Sequence, residues 1–139
     1  MRRASAILCL LLGAVLSGAA CSTSEPGSPE AVFEKLGLVK DAAAAGEYYT
    51  EETRSLAEKI DGGDGGLLFS MERKLFRPGS SWKILTQTAD GDDQVLRVAV
   101  TKHPQANMIG FETDIRMVRE DGAWKIDRSG DLKRQLKGN

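Results

Sequence analysis

Apolar positions along the chain follow two different periods. From Ser28 to Phe76 the period is helical. Val32, Leu36 and Val39 recur about one turn apart with Phe33 beside them, and Ala42 to Ala45 prolong the stripe. Ser28 reads as an N-cap, Pro29 as the first helical residue and Gly46 as the stop, so the spacing predicts a helix over Pro29–Ala45. Thr50, followed by Glu51 and Glu52, predicts the cap of a second helix running through Ile60, with Leu56 and Ile60 on one face. Asp61-Gly-Gly-Asp-Gly-Gly66 interrupts the pattern. Leu68, Met71, Leu75 and Phe76 then restore it over Leu67–Phe76, until Pro78-Gly79 ends it.

Beyond Gly79 the period changes to two. Trp82–Ala89 and Val95–Thr101 read as strands joined by the turn Asp90-Gly-Asp-Asp93, with Leu96, Val98 and Val100 sharing one face. His103-Pro104 closes the second strand. Met108–Val118 sets Phe111, Thr113, Ile115 and Met117 on one side and Glu112, Asp114 and Arg116 on the other. Asp121-Gly122 is a strong hairpin signal, with Trp124–Asp127 as the returning strand. The polar stretch Asp131–Lys137 has room for one or two helical turns. Helices first and an antiparallel meander afterwards predict an α+β domain, with the helices packed on one face of a curved sheet.

The first residues are patterned differently. Arg2 and Arg3 precede the apolar run Ala6–Leu16, and Ser17-Gly-Ala-Ala20 leads into Cys21. A positive start, a short apolar core and small residues are the parts of a secretory signal peptide. The run is too short to span a bilayer as a helix. A cysteine directly after the small residues resembles the lipobox of bacterial lipoproteins. That resemblance implies a cleaved signal over residues 1–20, acylation of Cys21 by chains such as palmitate, and a cell-envelope location. In a two-membrane host the anchor would lie on the periplasmic side of the outer membrane, with which Ser22 is compatible. The alternative is an ordinary signal peptide cut near Ala20, which leaves Cys21 a free thiol. Residues 21–28 are small, polar and interrupted by Pro26 and Gly27, the composition of a flexible lipid tether. Residues 29–139 remain for a single domain.

Composition then narrows the chemistry. The chain has two cysteines, and Cys9 lies in the signal segment, so Cys21 has no partner for an internal disulfide. No Cys/His cluster has zinc spacing, and no cofactor-binding motif occurs. The formal charge is -1 and no basic stripe occurs, which argues against a nucleic-acid partner. Without a basic amphipathic helix, contact with a membrane would run through the lipid.

The order of elements resembles the nuclear transport factor 2-like fold, and within it the small bacterial lipoproteins that carry such a domain of unknown function. Four stretches carry the resemblance: the opening helix after Ser28-Pro29, Ala45-Gly-Glu-Tyr-Tyr-Thr-Glu-Glu52, the alternating strand with Thr113, Ile115 and Met117, and Val118-Arg-Glu-Asp-Gly-Ala-Trp-Lys-Ile-Asp127. The resemblance implies a sheet curled around the helices into a cone, open at one end. Relatives use that cone as an active site, as a small-ligand site or as a filled core. Some dimerise through the sheet face, so a homodimer is one expectation.

Within such a cone three side chains are candidates for chemistry. Asp114 is a candidate base, because a carboxyl in an apolar pocket acquires a raised pKa. Tyr48 or Tyr49 is the candidate proton donor. Ketosteroid isomerase, an enzyme of the resembled superfamily, works with such a base, a tyrosine and a protonated acid. Against this, the alternation predicts Glu112, Asp114 and Arg116 as a solvated face with cross-strand ion pairs, and the tyrosines as an aromatic plug. His103, the only histidine, reads as a turn residue. Trp82 and Trp124 read as core or sheet-face residues, and Met71, Met108 and Met117 as gap fillers. The glycine-rich Asp61–Gly66 segment reads as a hinge or lid rather than a calcium loop, and Asp90–Asp93 as a turn. The expectation that follows is a lipid-anchored envelope protein whose domain, without being an enzyme, binds a small apolar or amphipathic ligand or a protein partner. The alternatives are an isomerase- or dehydratase-type pocket enzyme and a structural or immunity-type interaction protein with a filled cone.

Overall fold

The computed structural model describes residues 27–63 and 65–138. Helix α1 spans Pro29–Leu36, α2 Ala42–Gly46, α3 Glu51–Asp61 and α4 Gly66–Met71. Strands β1 (Ser81–Asp90), β2 (Asp93–Lys102), β3 (Glu112–Glu120) and β4 (Ala123–Ile126) follow, with a single 3₁₀ turn at Ala106–Met108, and α5 (Ser129–Lys137) closes the chain. The strands form one antiparallel meander in sequence order. The architecture is α+β, with helices covering one face of the sheet. Among the described residues the buried apolar core runs from Ala31 to Leu132, all of which a chain shortened to begin at Ser22 retains.

The expected helix over Pro29–Ala45 is two helices. Its first half starts as predicted: the Ser28 hydroxyl accepts the Ala31 N–H at 3.2 Å, and Pro29 sits at N1. It stops at Gly37, because Asp41 caps a new helix by accepting the Ala44 N–H at 2.8 Å. The apolar stripe continued through the break, but the Asx cap prevailed. Gly37 is also a packing site. A Cβ there would meet the Phe76 ring at 2.8 Å, so only glycine lets that ring approach. The expected helix over Leu67–Phe76 likewise ends early, at Met71. Bonds three residues apart take over from Ser70 to Phe76 (Leu75 N–H to Glu72 carbonyl, 2.9 Å), turning both Glu72 and Leu75 inward.

Helix α3 begins as expected, with the Thr50 hydroxyl accepting the Thr53 N–H at 3.2 Å. The carboxylate of Glu120 on β3 adds a second cap, accepting the Glu51 N–H at 3.0 and 3.1 Å. In the sheet, Leu96, Val98, Ile115, Met117 and Ile126 are fully buried, as the alternation predicts. Asp121 and Gly122 have φ of 52° and 78°, the two positive values that a tight primed hairpin turn needs. Strand β3 starts at Glu112 instead of Met108, because Gly110, at φ 85°, and the 3₁₀ turn intervene. The polar tail forms nine residues of α5, held by Leu132 in the core and by Asp127, which accepts the Ser129 N–H at 2.9 Å.

One short parallel bridge decides where the site lies. Tyr49 pairs with Ile126: the Ile126 N–H donates to the Tyr48 carbonyl at 2.8 Å and the Thr50 N–H to the Ile126 carbonyl at 3.0 Å. The α2–α3 connection thus adds to the open edge of β4, and alternation sends Tyr49 into the core. There Phe33, Phe76 and Trp82 form an aromatic cluster with ring centroids 4.9–5.7 Å apart.

Candidate functional site

A groove of about 370 Å³ opens between the end of α1, the Leu38–Lys40 turn and α4. Its walls are mostly apolar, with Leu36, Leu38, Val39, Leu68, Phe69 and Phe76 among them. Its volume falls within the ~300–1,000 Å³ of ordinary small-molecule sites. Tyr49 and Glu72, 1% and 2% exposed, form the floor.

Tyr49 and Glu72 belong to a largely buried polar network with Arg128. The Tyr49 hydroxyl donates to the Glu72 carboxylate at 3.1 Å, with the Leu68 carbonyl a second acceptor at 3.2 Å. Arg128 approaches the other oxygen of Glu72 with Nε at 2.6 Å and a terminal nitrogen at 2.5 Å. The second terminal nitrogen of Arg128 donates to the Asp114 carbonyl at 3.2 Å, just where β4 ends and leaves β3 without a neighbour. Arg128 therefore continues the sheet edge and neutralises Glu72 in one move. Burial works against its charge, but Glu72 above all, together with Asp131 and Tyr49, outweighs burial and raises its pKa above the ordinary arginine value. Burial, reinforced by the Glu72 carboxylate, holds the Tyr49 phenol far above its usual pKa. It is therefore a hydrogen-bond donor and no proton source near neutrality. The network is closed: each charge has its partner, and nothing in it is poised to move a proton.

The named candidates fall in three places. Tyr49 is in the floor. Tyr48, half-buried beside it, contributes its carbonyl to the bridge. Asp114 is elsewhere, on the outer face of the sheet. Its side chain is 51% exposed and gripped by Arg97 through two bonds of 2.9 and 3.3 Å. That hydrogen bond with Arg97, the largest influence, holds its carboxyl below the usual carboxylate range, opposite to what a pocket base needs. The premise of the pocket-base reading, an inward and desolvated Asp114, is not met. Glu112 lies 3.8 Å from Arg97, and Arg116 bonds Asp90 and Asp93 at 2.9 and 2.6 Å, so this face is a ladder of cross-strand pairs. Cys21 lies outside the described residues.

His103 is more than a solvated turn residue. It is 7% exposed, with Nε2 3.1 Å from the Lys74 carbonyl and Nδ1 accepting the Gln105 N–H at 3.0 Å. Those two bonds tie the turn after β2 to the turn after α4. No group of His, Cys, Asp and Glu among the described residues is arranged to hold a metal ion. No described helix is long and apolar enough to cross a membrane.

Sequence reasoning missed both charged members of the network. Glu72 was detectable: it is four residues after Leu68 and three before Leu75, on the apolar stripe itself, and a charge on that stripe signals a buried pair. Arg128 follows the last strand, outside any periodic pattern, and carries no such signal.

Comparison of the chain with protein-family models, curated proteins and solved structures finds no match in any of the three.

Proposed function

We propose that the chain is a lipid-anchored protein of the bacterial cell envelope whose domain, of nuclear transport factor 2-like cone type, works as a non-enzymatic binding module for a small apolar or amphipathic ligand. The observation that carries the binding reading is the groove over Tyr49 and Glu72: apolar walls, ligand-sized volume and a floor whose polar groups are already satisfied. A closed floor is rigid and inert, which suits holding a ligand and does not suit transforming one. The cone assignment is supported by helices covering one face of an antiparallel meander, and by the chain between α2 and α3 adding to the sheet edge. The anchor reading is supported by Arg2, Arg3, the apolar run and Cys21.

Two measurements test the two halves. Native mass spectrometry on the protein purified from the envelope of its own host, shortened to begin at Ser22, should show an added mass of small-molecule size that is lost on denaturation. An apo mass together with failure to bind any amphiphile would end the ligand reading. Cys21→Ala should move the full chain from the membrane fraction to the soluble envelope fraction. Retention in the membrane would end the lipoprotein reading.

A further inference from the structure

The groove's charges are one-sided. Two cations, Lys40 from the turn after α1 and Arg73 from the turn after α4, line it from opposite walls. Neither is in an ion pair with a described carboxylate, whereas Arg97, Arg116, Arg128 and Arg134 each are. Arg73 stands with its guanidinium 4.8 Å from the centre of the Phe69 ring, so its charge is held against the apolar wall. Among the described lining residues Glu72 is the single acid, and Arg128 neutralises it from below. Leu38, in the same turn as Lys40, also lines the groove and at 79% is the most exposed large apolar side chain among the described residues. Phe76 closes the inner end, and its ring is packed on Trp82 at 5.7 Å.

An apolar channel whose charged lining residues carry an uncompensated positive charge selects for the opposite arrangement in its occupant. Resting on the binding reading above, we infer that the groove takes a free, single-chain anionic amphiphile. Its carboxylate is held by Arg73 and Lys40, and its hydrocarbon chain lies under Leu38 against Phe69 and Phe76. Two neutral donors would hold the same headgroup without sign preference; two unpaired cations do not. A charge-assisted contact to each cation at this exposed mouth is worth a factor of about five in affinity. The hydrocarbon contributes equally for any headgroup.

Three probes of equal chain length separate the contributions: dodecanoate, dodecyltrimethylammonium and dodecanol, each below its aggregation limit. The protein is the chain beginning at Ser22 with Trp124→Phe, so that Trp82 fluorescence reports the inner end of the groove. Dodecanoate should bind about tenfold or more tightly than the ammonium probe and shift Trp82 emission. Arg73→Gln and Lys40→Gln should each weaken dodecanoate about fivefold and leave dodecanol unchanged. Equal affinity for all three probes would overturn the anion inference while preserving the groove as a ligand site. Binding of none would overturn that site as well. Cosedimentation with phosphatidylglycerol vesicles without binding of free dodecanoate would also overturn the inference, because the cations would then serve a membrane surface.

Discussion

The pair Glu72–Arg128 and the pair Asp114–Arg97 are built from the same two functional groups at nearly the same distance, and their surroundings separate their roles. Glu72 is 2% exposed and Arg128 15%, and a tyrosine hydroxyl completes the set. Asp114 and Arg97 are both 51% exposed, on a sheet face made of similar pairs. In the first place Glu72 is all but cut off from water, so its charge depends on its protein partners. In the second, water substitutes for whichever partner is removed. Buried, the pair ties the turn after α4 to the β4–α5 junction and finishes the floor of the groove. Exposed, it keeps the outer sheet face soluble and sets cross-strand register.

The comparison breaks most easily at Glu72. Glu72→Ala leaves the largely buried Arg128 charge with only the 3.4 Å contact to Asp131 and should cost about 3 kcal/mol, a large share of the ~5–15 kcal/mol of an ordinary domain. Urea unfolding reads this directly. The double replacement Glu72→Met with Arg128→Leu should recover most of the loss, since an apolar pair needs no compensation. If Glu72→Ala costs no more than Asp114→Ala, burial is not what distinguishes the two pairs.

Tyr49→Phe is the next largest change, about 1–3 kcal/mol, because Glu72 loses a donor it cannot replace from water. It also carries a pH signature. The native phenol is held above its ordinary value, so the stability it contributes is complete below about pH 10. That stability declines as the pH rises further, where the unfolded chain's tyrosine ionises and the native one does not. Unfolding curves of the parent and of Tyr49→Phe should therefore converge at strongly alkaline pH. A constant gap would show that the hydroxyl is not desolvated.

The smallest effect belongs to the outer face. Asp114→Asn should cost less than about 1 kcal/mol near neutrality. Its carboxyl is held below the usual range, so this contribution is present above about pH 4 and disappears as the pH falls through the lowered native value. Thermal melts of parent and variant should coincide at strongly acidic pH. A variant that melts lower there would assign the residue a role other than pairing with Arg97.

What could be read from the chain follows the same division. The outer ladder was legible because strand alternation is a strict period of two: once Ile115 and Met117 are core, Glu112, Asp114 and Arg116 face water. The Thr50 cap and the Asp121-Gly122 hairpin were legible because each is local chemistry. The split after Leu36 was not, since the apolar stripe runs on through Val39 and the Asp41 cap had to be weighed against it. The groove depends on that split, because the turn it creates supplies Leu38 and Lys40. The buried network was half visible, in a charge lying on the Leu68–Leu75 stripe. Its other half, Arg128, is brought in from 56 residues away by the sheet.

The measurement that bears most directly on the binding account maps amide shifts of the chain beginning at Ser22, labelled with nitrogen-15 and titrated with dodecanoate. The account predicts that the largest shifts cluster at Leu38, Lys40, Phe69, Arg73 and Phe76, with Arg97, Asp114 and Arg116 unmoved. Shifts concentrated on the outer sheet face, or none anywhere, would contradict it.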